Sequence, residues 1–122
     1  MRLVIGLDFD GVLHVRASGL PWGSPPDGPP VPGALSWLRG ALSAGHRVAI
    51  QSCRSADAVG RAGMQAWLSA NGCGDLIDLL EWPATKVECD VYIDDRGYRF
   101  AGEWPTLARL QALRSWMDDQ EA

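Results

Sequence analysis

The sequence predicts an α/β domain of three layers, a parallel sheet with helices on both faces. Three observations carry that expectation. The apolar runs at 3–7, 48–50 and 91–93 are near-continuous rather than alternating, as strands covered on both faces are. Helix-period segments lie between them, giving the order strand, helix, strand, helix, strand. Each run is followed by a polar residue, Asp8, Ser52 or Asp94. Right-handed crossovers would bring those strand ends to one edge, where ligands bind in sheets of this kind.

The first strand spans Leu3 to Leu7 and runs directly into Asp8-Phe9-Asp10-Gly11. The segment His14 to Pro32 is rich in Pro and Gly and is expected to form a flap-like loop over the carboxyl edge. The first helix opens at Pro32, puts Leu35, Leu38 and Leu42 on one stripe, and stops at Gly45. The second is expected from about Ala56 to Ala70, with Ser55 as N-cap, Val59, Ala66, Trp67 and Ala70 inward, and Asn71-Gly72 closing it. Leu76 to Leu80 reads as an edge strand and Tyr98 to Phe100 as a short one. A last helix is expected from Pro105, burying Leu107, Leu110, Leu113 and Met117.

At 122 residues, one domain (1–122) with a single core is expected. Its 47% hydrophobic and 21% charged content is that of a soluble globular chain. No apolar run is long enough to span a membrane, and the N-terminus lacks a secretory pattern, so a cytoplasmic location is expected. Cys53, Cys73 and Cys89 form no C-x-x-C pair and are expected as reduced thiols. A net charge of -4 argues against an extended basic surface for nucleic acid, although an arginine pair is enough to hold one phosphate.

Chemistry is expected from Asp8, Asp10, Asp94 and Asp95. Carboxylates at adjacent strand ends sit about 5 Å apart, and each like-charge pair then costs about 3 kcal/mol at an effective dielectric near 20. Four such groups call for a cation or for shared protons. An all-oxygen set suits Mg²⁺ better than zinc. His14 is expected at the surface and His46 at a helix end, while Trp22, alone among the six tryptophans, lies in the flap and is a stacking candidate. No arginine lies six positions after any cysteine and Walker A is absent, which excludes two other phosphate-handling loops.

An apolar strand ending in Asp8-Phe9-Asp10-Gly11-Val12-Leu13, a strand ending in Ser52, then Lys86, then a strand ending in Asp94-Asp95 resembles the four ordered motifs of haloacid dehalogenase-like phosphohydrolases. The resemblance spans residues 3 to about 100 and implies a Rossmann-like fold without a cap domain, the 14–32 loop standing in its place. It implies a Mg²⁺-dependent phosphatase that hydrolyses a phosphomonoester through an aspartyl-phosphate on Asp8. Asp10 would be the general acid and base, and for the first role must carry a proton. Ser52 would bond a phosphoryl oxygen and Lys86 would balance charge. Asp8, Asp94, Asp95 and the backbone carbonyl of Asp10 would hold Mg²⁺, and Gly11 would let the backbone approach the phosphoryl group. An acid two residues after the nucleophile points to phosphate rather than carbon-halogen cleavage.

Ser52-Cys53-Arg54 and Asp94-Asp95-Arg96 also resemble the polynucleotide 3'-phosphatase branch, which makes Arg54 and Arg96 candidates for substrate contact. Structural ion pairs with Asp57, Asp94 or Asp95 are the alternative for both. The implied partner is a phosphorylated small molecule or nucleic-acid end, with a homo-oligomer open. Two other functions stay in view. A phospho-acceptor receiver domain uses similar groups in a different order, and a catalytically idle relative would bind metal or a phosphorylated ligand without turnover.

Overall fold

The three apolar runs form three parallel strands in the computed structural model, which describes residues 1–16 and 23–118: β1 (Val4–Leu7), β2 (Arg47–Ile50) and β3 (Val91–Ile93). Their spatial order is β2-β1-β3, so the strand that leads into Asp8 is central. Register pairs Ile5 with Val48 and Val91, and Leu7 with Ile50 and Ile93. Those six residues therefore share one face, and Gly6, Ala49 and Tyr92 share the other.

Two helices follow the strands. α1 (Ala34–Ser43) ends where the N–H groups of Ala44 and Gly45 bond back to Gly40 and Leu42. α2 (Ala58–Ala70) starts later than expected, because Ser52 first caps a 3-10 turn, Cys53–Ala56, and Asp57 then accepts the Gly60 N–H at 2.7 Å. Its inward stripe is Met64, Trp67 and Leu68, spaced i, i+3 and i+4. The expected inward residues Val59, Ala66 and Ala70 sit off that stripe and are exposed.

The result is a small α/β domain with a parallel sheet flanked by helices. Helices on both faces were expected, but α1 and α2 bury Leu38, Met64, Trp67 and Leu68 in one cluster with Ile5, Leu7, Phe9, Val48 and Ile50. They share a face because β1 to β2, and β2 onward to Glu81, step across the sheet in the same direction. Leu76 to Leu80, expected as an edge strand, is mostly a 3-10 helix, Gly74–Leu79; only Glu81 then bridges Ala49 in parallel. The return to β3 over 82–90 contains no helix, and this leaves Gly6 and Tyr92 along an open groove.

Downstream of β3 the expectations hold only in part: a helix forms after Pro105 and Met117 is buried, but the rest differs. Tyr98 to Phe100 is irregular, and α3 (Leu107–Ala112) has no buried residue, Leu107 being 76% exposed. Leu113 turns extended because the following segment docks at the carboxyl edge, where Ser115 bonds Asp95, Trp116 bonds the Gly11 carbonyl and Met117 is buried. Tertiary contacts have overridden a helical pattern. Among the described residues no helix is long and apolar enough to cross a membrane.

Phe9 is fully buried, stacked on His14 at 5.3 Å and met edge-on by Trp67 at 5.1 Å. Phe9→Ala should cost about 3–5 kcal/mol in urea denaturation, whereas Leu107→Ala should stay within about 0.5 kcal/mol. Equal costs would show that α3 belongs to the core.

Candidate active site at the carboxyl edge

Asp8 is the first residue past β1, and its N–H still bonds the Ile93 carbonyl at 2.9 Å, so the sheet ladder fixes its place. Its Oδ1 accepts the Phe9 N–H at 2.8 Å. Burial pushes its carboxyl up to about 7; the Phe9 N–H opposes this, and the charges of Asp95, Asp10 and Asp94 add to it. Asp8 opens onto a groove of about 860 Å³ whose walls also include Ser52, Lys86, Tyr92, Asp94 and Arg99. Ser52 Oγ accepts the Arg54 N–H at 3.1 Å, which leaves its own O–H free to donate. The Lys86 ammonium lies 4.5 Å from the Tyr92 ring centroid, a cation–π contact, and not in an ion pair with Asp8.

Asp10 faces elsewhere. It is 8% exposed and is not part of the groove wall. Arg54 Nε donates to its Oδ2 at 2.7 Å and Arg54 Nη2 to its Oδ1 at 3.1 Å. The Gly28 N–H donates to His14 Nε2 at 3.0 Å, which leaves Nδ1 as the protonated nitrogen that donates to Asp10 Oδ1 at 2.8 Å. Burial alone would raise this carboxyl; the hydrogen bonds from His14 and Arg54, with the Arg54 charge, outweigh it and hold Asp10 below the usual carboxylate range. The expected protonated Asp10 is thus an ionised carboxylate here, because a buried guanidinium pairs with it. The same pairing keeps Arg54 out of the groove wall, and its ion pair is with Asp10 rather than with Asp57, Asp94 or Asp95. His14, expected at the surface, is 2% exposed. His46 lies at the helix end as expected, its N–H bonding the Ala41 carbonyl of α1 at 3.1 Å, and its Nδ1 also accepts the Leu3 N–H at 3.0 Å, which steadies the start of β1.

The second acid pair divides. Asp94 lines the groove and accepts the N–H groups of Arg96 and Gly97 through Oδ1. Asp95 sits behind it against Gly11, whose φ of 83° favours glycine and whose missing Cβ makes room for the Asp95 carboxylate. Asp95 Oδ2 accepts from the Ser115 hydroxyl, while Oδ1 is buried with no hydrogen-bond partner among the described residues. Arg96 reaches Asp118 at 3.3 Å, an exposed pair, and is absent from the groove wall. Trp22 lies outside the described residues.

Among the described residues no three His, Cys, Asp or Glu side chains converge as a ligand set. The donor chemistry nevertheless fits a hard divalent cation. It is all oxygen, its charges are mutually repelling, and the orphaned Asp95 Oδ1 lacks the partner that a buried carboxylate needs. Thus Asp8, Ser52, Lys86 and Asp94 share the groove, while Asp10, Gly11, Arg54, Arg96 and Asp95 line other contacts.

No family model matches the chain, and no curated protein matches it. A solved structure of a conserved protein from Bacteroides thetaiotaomicron superimposes with a TM-score of 0.56 at 21% identity, covering 100% of this chain and 93% of that one. At that identity the likeness shows the fold alone.

The sequence reading missed Tyr92, Arg99, Ser115 and Trp116 as neighbours of the strand ends. Tyr92 had a signal, since strand alternation puts it on the face opposite Ile93; the others depend on irregular backbone that no periodicity encodes. Electrostatics at Asp8 makes a prediction. Asp8 ionises near pH 4 in the unfolded chain and near 7 in the folded one, so the fold loses stability as pH rises through that interval. The full shift corresponds to about 4 kcal/mol, which access of solvent from the groove reduces to about 2 kcal/mol. Asp8→Asn in metal-free buffer should therefore leave stability unchanged at pH 4 and raise it by about 2 kcal/mol at pH 8, read by urea denaturation. A difference that is the same at both pH values would contradict this.

Proposed function

We propose that the chain is a small, capless phosphohydrolase of the haloacid dehalogenase-like type, a Mg²⁺-dependent phosphomonoesterase with Asp8 as nucleophile. The observation that carries this reading is the setting of Asp8, which ends the central strand, opens onto the groove, and stands in the field of Asp95, Asp10 and Asp94. The fold class supports it, and so does the order of the four motifs.

In the first step an Asp8 carboxylate oxygen attacks phosphorus as the bond to the leaving oxygen breaks, and that oxygen takes up a proton. In the second, water attacks the phosphoaspartate, a base removes its proton, and orthophosphate leaves with Asp8 regenerated. Asp10, held ionised by Arg54 and His14, is prepared as the base of the second step. The acid role of the first step requires Asp10 to take up a proton and to leave its Arg54 and His14 contacts for the groove. Ser52 donates to a phosphoryl oxygen, and Lys86 leaves the Tyr92 ring to meet the phosphate. Bound Mg²⁺ supplies charge neutralisation for the phosphoryl oxygens, and Asp8, Asp94, Asp95 and the Asp10 carbonyl are the groups that would hold it. The groove suits a phosphorylated small molecule or a nucleic-acid end.

A second reading, phosphate-ligand binding without turnover, is favoured by one observation: both oxygens of Asp10 are already engaged. Hydrolysis of p-nitrophenyl phosphate separates the two. Turnover should require Mg²⁺, vanish with chelator, and fall at least about a thousandfold in Asp8→Asn. Activity retained by that variant refutes the nucleophile; thermal stabilisation by orthophosphate with no turnover selects the second reading.

A further inference from the structure

Asp10 is the meeting point of two bridges to the flap. Arg54 spans it to Ser24: Nε and Nη2 hold the carboxylate, and Nη1 donates to the Ser24 carbonyl at 2.6 Å. His14 spans it to Gly28, donating from Nδ1 to Asp10 and accepting the Gly28 N–H at Nε2. Both bridging side chains are buried, Arg54 at 9% and His14 at 2% exposed, and both lie against the Phe9 ring. The close fit depends on Gly28, where a Cβ would strike the Val15 carbonyl and crowd His14 Nε2.

Backbone bonds secure the same stretch. Val15 N–H donates to Pro29 at 2.9 Å, Val31 N–H to Leu13 at 2.8 Å, and the Trp67 indole N–H to Gly28 at 2.8 Å. One carboxylate, one guanidinium and one imidazole therefore tie the end of β1, the 3-10 turn before α2, and both described sides of the 14–32 loop. A planar guanidinium fork with three of its nitrogens used this way has no donor geometry that lysine reproduces.

We infer that Arg54 and His14 are positioning residues that lock the Asp10 carboxylate and the Ser24–Gly28 stretch into one coupled unit. Arg54 acts through Asp10, not on substrate. The catalytic consequence rests on the phosphatase reading; the coupling to the flap does not.

Amide hydrogen exchange on the full chain tests the coupling without any activity. Asp10→Asn, which keeps the carboxylate's shape but removes its charge, should speed exchange at the Gly28 and Val15 amides by about tenfold or more, leaving Leu38 and Leu68 unchanged. Unchanged Gly28 exchange overturns the inference, and so does equal acceleration at Leu38 and Leu68. The kinetic arm uses Arg54→Lys with p-nitrophenyl phosphate and Mg²⁺. kcat should fall by about tenfold to a hundredfold with KM unchanged, because the substrate contacts stay while Asp10 loses its orientation. A raised KM with unchanged kcat identifies Arg54 as a substrate ligand and overturns the positioning role. A wild-type protein without turnover refutes the phosphatase reading alone, and the exchange arm still decides the coupling.

Discussion

A carboxylate taken out of water must be given partners of opposite charge or must give up its own. Asp10 is the place where this chain meets that constraint, and much of the domain is arranged to meet it. Arg54 comes from the turn after β2, His14 from the residues after β1, and each carries a piece of the loop backbone with it. His14 is itself packed in a ring cluster with Phe9 and Trp67, and Arg54 lies over the Phe9 ring. Strand end, turn and loop thus share one electrostatic solution, and changing any of the three charged or polar partners changes all of them.

Asp8, two residues earlier, is left with the opposite outcome. Burial, against which it has one N–H bond from Phe9 and no cationic partner among the described residues, raises its carboxyl where that of Asp10 falls, and three nearby acids add to the rise. Two aspartates separated by a single residue therefore differ in proton affinity because of what faces them, not because of what they are. Such a split is what a pair with distinct chemical roles requires, and it arises because the chain leaves β1 after Leu7: alternation alone would keep Asp8 and Asp10 on one face, whereas the turn carries Asp10 into its Arg54 and His14 contacts.

Much of the scaffold was legible in the sequence because it rests on local patterns. The strand runs and the span of α1 follow directly from apolar continuity, helical spacing and a glycine stop. The gathering of strand ends at one edge follows from parallel topology, and with it the grouping of Asp8, Ser52 and Asp94 on one groove. What local patterns do not encode is pairing across distance. Arg54 lies 44 residues from Asp10, and nothing in Ser52-Cys53-Arg54 says that the side chain turns inward rather than toward ligand. The C-terminal pattern misled for the same reason: its leucines have helical spacing, but docking of Ser115 and Trp116 ends α3 early.

The uneven clothing of the sheet has an effect of its own. β3 is three residues long, two of them exposed, and it is joined to the rest chiefly by its ladder with β1. β1 and β2, by contrast, press their apolar side chains into the main cluster. The edge that bears Asp94 and Asp95 therefore has the least buried apolar support in the sheet, the condition under which local opening costs least. Whatever draws that edge and the Asp8 side together acts as a clasp on the least supported seam of the sheet, and its grip should be felt as rigidity there before it is felt anywhere else.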